Sequence, residues 1–298
     1  MDVDPLQDTA PPRHALESDD EEDEYNPAPR PSLSSPTQPS PTIKIVGKIP
    51  SNTSLYIGSG PAGLAWARGA GLGEQLGAVY VNEKQVGLLF VPSWTSTVVL
   101  MSEIMVRLPL WAMHTYAEAV LNHLNPTSVV LLDSYSTRTY ISTDPDPNPS
   151  ADPPIRYLSA NCTPNLGPAV HLFALPNLLQ STSASFLSIL HFGAFSPSTS
   201  PSSQPVKPAP IPSTLLLLPN PQIPPPAPTQ LAPSSASTLE SPSLWSVDTM
   251  RAVHALLLGV LGQKVTPWEE RDEETTGGAG KDVAKKKRGE VGEGGMYI

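Results

Sequence analysis

The chain has 298 residues, room for one large domain or two small ones. Its 37 prolines, with only 39% hydrophobic and 15% charged residues, make it too proline-rich and too poor in core-forming residues to fold along its whole length. The longest apolar runs fall short of the roughly 18 residues of a membrane span, the acidic N-terminus lacks a signal-peptide core, and the single cysteine, Cys162, excludes an internal disulfide and a Cys-rich zinc site. The net charge of −10 is uneven: residues 1–42 hold ten acids and two bases, and the remaining 256 hold 18 acids and 16 bases. The nearly neutral remainder carries no nucleic-acid footprint. No membrane partner is expected, and a reducing, cytoplasmic location fits.

Residues 1–41 read as a disordered tail. The run Asp19–Glu24 repels itself, and the Pro/Ser stretch that follows cannot build a core. The folded domain is expected over residues 42–263. Ile43–Ile49 alternates as a strand. Ala78–Val81 and Val86–Val91 flank Asn82-Glu83-Lys84-Gln85 as a hairpin, and Thr97–Met101 is a further strand. Pro109 opens a helix whose Leu110, Met113, Ala117, Val120, Leu121 and Leu124 form one apolar stripe, and Asn125-Pro126 ends it. Val129–Leu132 reads as a strand buried on both faces. Arg138–Ser142 and Ile155–Leu158 are short strand candidates. Ser181 or Ser183 caps a helix running through His191. Residues 196–243 carry 14 prolines and read as a Pro/Ser insertion, interrupted by Leu215–Leu218 as a core strand. Ser246 caps a helix over Val247–Leu261, apolar nearly all round and so buried. From 264 to 298 the composition is that of a flexible tail. The predicted fold is thus α/β: a mixed sheet flanked by helices in a single domain, with a disordered N-terminal tail, a Pro-rich insertion and a flexible C-terminal tail.

Gly58-Ser59-Gly60-Pro61-Ala62-Gly63 is a literal G-x-G-x-x-G after the apolar Leu55–Ile57, with Glu83 twenty residues beyond Gly63, where a ribose-binding acid would stand. The string resembles the flavin-binding fingerprint of FAD-dependent oxidoreductases. In that alternative Gly58, Gly60 and Gly63 would let the backbone approach a pyrophosphate, and the chain would be an FAD- or nucleotide-binding α/β protein. Three features oppose it. Gly69, Gly71 and Gly73 leave only a short helix after the loop, Glu83 falls in a hairpin turn, and the downstream Gly-Asp that the resemblance requires is absent. No cofactor is therefore expected. Nor is a metal, since His14, His114, His123, His171, His191 and His254 show no ligand spacing. No G-x-S-x-G elbow is present, and no catalytic residue is assigned. Asp133, at the end of the buried strand, is the most site-like acid, with a hydrogen bond to the turn at Ser134 as its expected role. Lys285-Lys286-Lys287-Arg288 reads as a solvated linker or a nuclear-import signal, which makes the nucleus a second candidate compartment.

The last three residues, Met296-Tyr297-Ile298, combine a hydrophobic residue, a tyrosine and a terminal carboxylate behind a Gly-rich stretch. If Thr266–Gly295 is a flexible tether, it spans roughly 30 Å r.m.s.. A carboxylate suits a pocket lysine and backbone N–H groups, the Tyr ring adds apolar area with a polar tip, and Met fills an irregular cavity. This ending resembles the hydrophobic–tyrosine–any-residue (HbYX) motif by which proteasome activators and assembly chaperones insert between α subunits of the proteasome core particle. The Leu108–Asn125 helix followed by Val129–Tyr135, and Pro176-Asn177-Leu178-Leu179 leading into Ser181–His191, are similar to the proteasome assembly chaperone 1 family, of the fungal type with this C-terminal tail. The resemblance implies a non-enzyme that pairs with proteasome assembly chaperone 2. The heterodimer would sit on the α-ring of the core particle, with Met296, Tyr297 and Ile298 docked in an inter-α-subunit pocket.

Overall fold

A computed structural model describes residues 40–142, 152–192, 210–234 and 244–270. Among these, nine strands form one mixed sheet whose centre is a run of apolar sequence. The strands are β1 (Ile43–Gly47), β2 (Ser54–Ser59), β3 (Gln75–Val81), β4 (Lys84–Phe90), β5 (Val98–Ser102), β7 (Ser128–Ser136), β8 (Ile155–Ala160), β9 (Val170–Leu172) and β10 (Ser213–Asn220), in the spatial order β1-β3-β4-β5-β2-β7-β10-β8-β9. Strands β5, β2, β7 and β10 run parallel to one another, β1, β3, β4 and β8 add antiparallel pairings on either side, and β9 runs parallel to β8. A two-stranded ladder joins β6 (Val106–Arg107) to β11 (Ala232–Pro233).

Four helices cover this sheet: α1 (Gly60–Ala70), α2 (Leu110–Leu124), α3 (Thr182–Phe192) and α4 (Val247–Val260). Successive side chains of a strand face opposite ways, so the continuous apolar runs supply two cores. Leu55, Ile57, Leu100, Val129, Leu131, Leu215 and Leu217 pack under α2 and α3. Tyr56, Val99, Met101, Val130, Leu132, Leu216 and Leu218 pack under α1 and α4. That is why Val129–Leu132 and Leu215–Leu218 read as continuous rather than alternating. The α/β class with a helix-flanked mixed sheet follows directly.

Several local expectations are corrected. Leu110 has the angular position of the α2 stripe but stands at the first helical residue and is 47% exposed; Ala112 and Tyr116 are buried instead. Arg138–Ser142 is turn and coil, because the side chain of Asn177 takes up both backbone polar groups of Ile141, at 2.7 and 2.8 Å, in place of a strand partner. The hairpin turn has two residues, not four: Asn82 and Glu83 both adopt positive φ, the geometry that matches strand twist. Helix α1 runs eleven residues through Gly63 and Gly69, longer than expected. A Cβ on Gly69 would lie inside the indole ring of Trp268, so the packing of that ring offsets the helix penalty of glycine.

The domain also extends past both expected boundaries. Trp268 is 3% exposed and its Nε1 donates to the Trp66 carbonyl at 2.8 Å, so this one side chain enters the core and ties the otherwise largely exposed residues 264–270 to the domain. Within the 196–243 stretch, residues 221–234 lie pinned on the body. Arg107 Nη2 donates to the carbonyls of Pro225 and Pro226, Trp111 Nε1 to Thr229 and Lys84 Nζ to Leu231. Long side chains of the body supply the donors that proline cannot.

Candidate functional site

In an open α/β sheet a ligand crevice forms beyond the carboxyl ends of the parallel strands, where neighbouring strands send their connections to opposite faces. Here β2 leads to α1 on one face, and its neighbour β5 leads to α2 on the other. Ser59 and Ser102, which end these strands, are register partners. This is also where the G-x-G-x-x-G string lies, so the position for a nucleotide site exists.

The glycines play packing roles there. Gly60 adopts φ +54° as the chain turns from strand into helix. A Cβ on Gly63 would come within 2.5 Å of the Gly58 carbonyl carbon, so these two glycines let α1 lie against β2. Glu83 is exposed in the turn between β3 and β4, which stand three and two places from β2 in the sheet order, and does not join the loop. The structure does not bring together the residues of the nucleotide alternative.

The crevice itself is filled by the first turn of α3. Ser183 Oγ donates to Ser59 Oγ at 3.0 Å, and both side chains are buried. Ser181 caps the helix by accepting from the Ala184 N–H at 3.3 Å. Asp133 lies at this helix start, with Oδ1 accepting from the Ser134 N–H at 2.8 Å. A carboxylate at a helix N-terminus is favoured by the dipole and the free N–H groups, so the protein's own Asp133 stands where an anionic ligand would. Burial pushes its carboxyl up, partly offset by the Ser134 N–H and the Ser181 and Ser183 hydroxyls. Those hydroxyls lie near Asp133, yet Oδ2 has no hydrogen bond of good geometry.

Glu103 completes the buried polar cluster. Its Oε1 accepts from the Leu108 N–H at 2.7 Å. Burial raises its carboxyl, the Thr182 hydroxyl and the Leu108 N–H partly offset this, and the Asp133 charge adds to the rise. Ser102 Oγ donates to the Tyr116 hydroxyl at 3.2 Å. The cluster is made of carboxyls and hydroxyls that bond to one another and to backbone N–H groups. On the other face, a cavity beside Tyr56, Trp66, Trp94 and Leu257 holds about 10 Å³, room for one water rather than a flavin.

Of the histidines, His254 is 1% exposed, and its role is structural. Nδ1 accepts from Trp66 Nε1 at 3.2 Å, so Nε2 carries the proton in the neutral ring and donates to Thr266 Oγ1 at 3.1 Å. His114 is exposed on α2. Among the described residues no three His, Cys, Asp or Glu side chains gather as a metal site, and no helix is long and apolar enough to cross a membrane. Met296, Tyr297 and Ile298 lie outside the described residues, as do Lys285–Arg288.

No family profile and no curated protein matches the chain. Its backbone is similar to solved archaeal structures. Pyrococcus furiosus PbaA, a homolog of proteasome-assembly chaperone, aligns with a TM-score of 0.43 and 10% identity over 76% of this chain and 88% of its own. PbaB of the same organism, a proteasome activator, aligns at 0.43 and 10% identity over 75% and 91%. A Thermoplasma acidophilum protein of unknown function aligns at 0.39 and 11% identity over 57% and 68%. At these scores and identities the likeness carries no functional argument and assigns no residue a role.

Sequence reasoning singled out Asp133 and expected it to bond a turn at Ser134; the bond is made, but β7 runs on to Ser136, so Ser134 is a strand residue and not a turn. It missed Glu103, Thr182 and the Ser59–Ser183 contact. Ser59 and Ser183 are 124 residues apart, and nothing in a single sequence signals that pairing.

Proposed function

We propose that this chain is an assembly chaperone of the proteasome core particle. It works as a heterodimer with a second chaperone of the proteasome assembly chaperone 2 type, on the outer face of the α-ring. Met296, Tyr297 and the Ile298 carboxylate dock in a pocket between two α subunits. The observation that carries this reading is the Met-Tyr-Ile ending itself. Twenty-five residues separate it from Glu270, which lies next to the Trp268 anchor. The terminal carboxylate pairs with a pocket lysine, Tyr297 fills an apolar slot with its hydroxyl at a polar rim, and Met296 packs beside it. A tail and a domain face engaging the same ring are bivalent, so modest contacts add up to useful avidity. The packed first turn of α3 supports this reading over nucleotide binding, because a dinucleotide at the Gly58–Gly63 loop would have to displace Ser183 and Asp133.

The reading takes Ile298 as the last residue, which intact-mass measurement of the natural protein checks. Its test is capture of proteasome α subunits by the full chain and by a chain lacking Met296–Ile298. The expected result is that truncation weakens or abolishes capture of α subunits while the second chaperone is retained. Equal capture by both chains would reject the tail mechanism, and no α subunits with either would reject the chaperone role.

A further inference from the structure

One stretch of the chain is built from residues that leave its backbone a single choice. Ile223-Pro224-Pro225-Pro226-Ala227-Pro228 lies between β10 and β11. Each proline ring fixes φ at about −65°. Ile223, Pro224, Pro225 and Ala227 each precede a proline, which drives them out of the α region into extended backbone. The peptide bonds before these prolines are trans. Sterics alone therefore set a polyproline II helix, with three residues per turn and about 3.1 Å per residue.

The body grips this helix from one side and leaves its apolar residues open. Arg107 Nη2 donates to the Pro225 and Pro226 carbonyls at 2.8 and 2.9 Å, and Trp111 Nε1 donates to the Thr229 carbonyl at 3.0 Å just beyond. Ala227 and Leu231 pack on the core, and β11 pairs with β6. At the other end Asn220 Oδ1 accepts from the Gln222 N–H at 2.8 Å as β10 stops. Yet Pro224, Pro225 and Pro226 are exposed, and Ile223 is 59% exposed. Ile223 and Pro226 stand one turn apart, so they form a single apolar ridge. Among the described residues no donor takes the carbonyls of Ile223 and Pro224.

We propose that residues 223–228 are a pre-ordered ligand for a proline-recognition domain. The partner's groove is lined by tyrosine and tryptophan rings that seat the Ile223–Pro226 ridge, and their N–H and O–H groups donate to the free carbonyls. That mode of recognition needs an exposed polyproline II segment with apolar ridges, and this chain supplies one. A free peptide must be ordered as it binds, whereas Arg107 and Trp111 have already ordered this one, so less entropy is lost. No charged residue stands between Lys207 and Glu240, so the ligand calls for an apolar aromatic groove and not for ionic pairing. The contact is separate from the Met-Tyr-Ile ending and does not rest on the proposed function.

The test is calorimetric titration of the purified full-length chain with purified WW, SH3 and EVH1 domains, which carry such grooves. Two variants are compared with the parent: the triple substitution Ile223→Ala/Pro224→Ala/Pro225→Ala, and Arg107→Ala. Because the three replaced side chains are exposed, the triple variant should keep the thermal midpoint of the parent. The expected result is saturable binding of at least one domain by the parent. The triple variant should weaken it at least about tenfold, and Arg107→Ala, which frees the strap, at least about twofold. No binding of any of the domains would overturn the proposal. Equal binding by the triple variant would move the contact to another proline-rich stretch of the chain and overturn it as well. Unchanged or tighter binding by Arg107→Ala would overturn the pre-ordered presentation.

Discussion

Single side chains decide how α1 and α4 sit on the sheet. Gly69 has no room for a methyl group because the Trp268 ring occupies the place. Gly69→Ala, a change that favours isolated helices, is therefore expected to destabilise the protein by about 1–3 kcal/mol through overpacking, read as a fall in the denaturant midpoint at constant slope. Buried titratable groups set two opposing pH effects. Burial lowers the proton affinity of His254, with the Thr266 contact partly offsetting it. Below the ordinary histidine value of about 6.5 the unfolded chain then binds a proton that the folded chain refuses, so stability falls as pH drops. Asp133 is raised, so above about pH 4 the unfolded chain gives up a proton that the folded chain keeps, and stability falls as pH rises from there. His254→Gln is expected to flatten the decline between pH 7.5 and 5.5, and Asp133→Asn to flatten the decline above pH 4. Denaturant titrations across that range check both, and unchanged slopes would remove these groups from the account.

At the scale of elements, the short segment after α4 is the informative one. Thr266, Trp268 and Glu269 bond to His254, Trp66 and Gly69, and Arg251 reaches the Trp268 carbonyl at 3.4 Å. A chain ending at 263 should lose about 3–5 kcal/mol with the buried tryptophan, whereas a chain ending at 270 should melt like the full protein. Equal melting of the two would contradict the anchor. The sequence made the long, periodic elements plain, because α2 follows a 3.6-residue stripe and β7 and β10 are runs that only a doubly covered strand tolerates. It hid whatever depends on distant partners. Residues 264–270 look like a polar tether until Trp268 meets Gly69, 199 positions earlier. Residues 221–234 look like an insertion until Arg107 and Trp111 bind their carbonyls. Arg138–Ser142 reads as a short strand candidate, yet Asn177 takes the backbone hydrogen bonds of Ile141. The Gly58–Gly63 string was legible as a strand-to-helix turn, but the packing that fills the crevice over it comes from α3, more than a hundred residues later.

For the whole molecule, the parts divide by what they can recognise. The crevice that the fold offers for a small ligand is packed with the protein's own Ser183 and Asp133. In the proposed function, recognition falls to the Met-Tyr-Ile ending beyond the Trp268 anchor. That proposed contact is with a small pocket that can let go. The central claim is that the terminal residues provide the releasable contact. The most direct measurement is a titration of purified proteasome core particle with the full-length chain bound to its companion. Two altered complexes are compared with it, one carrying Tyr297→Ala and one with a single glycine added after Ile298, which moves the carboxylate. The account expects both changes to weaken binding at least about tenfold, the loss typical of a buried hot-spot contact, with the companion still bound. Unchanged affinity for both would contradict it.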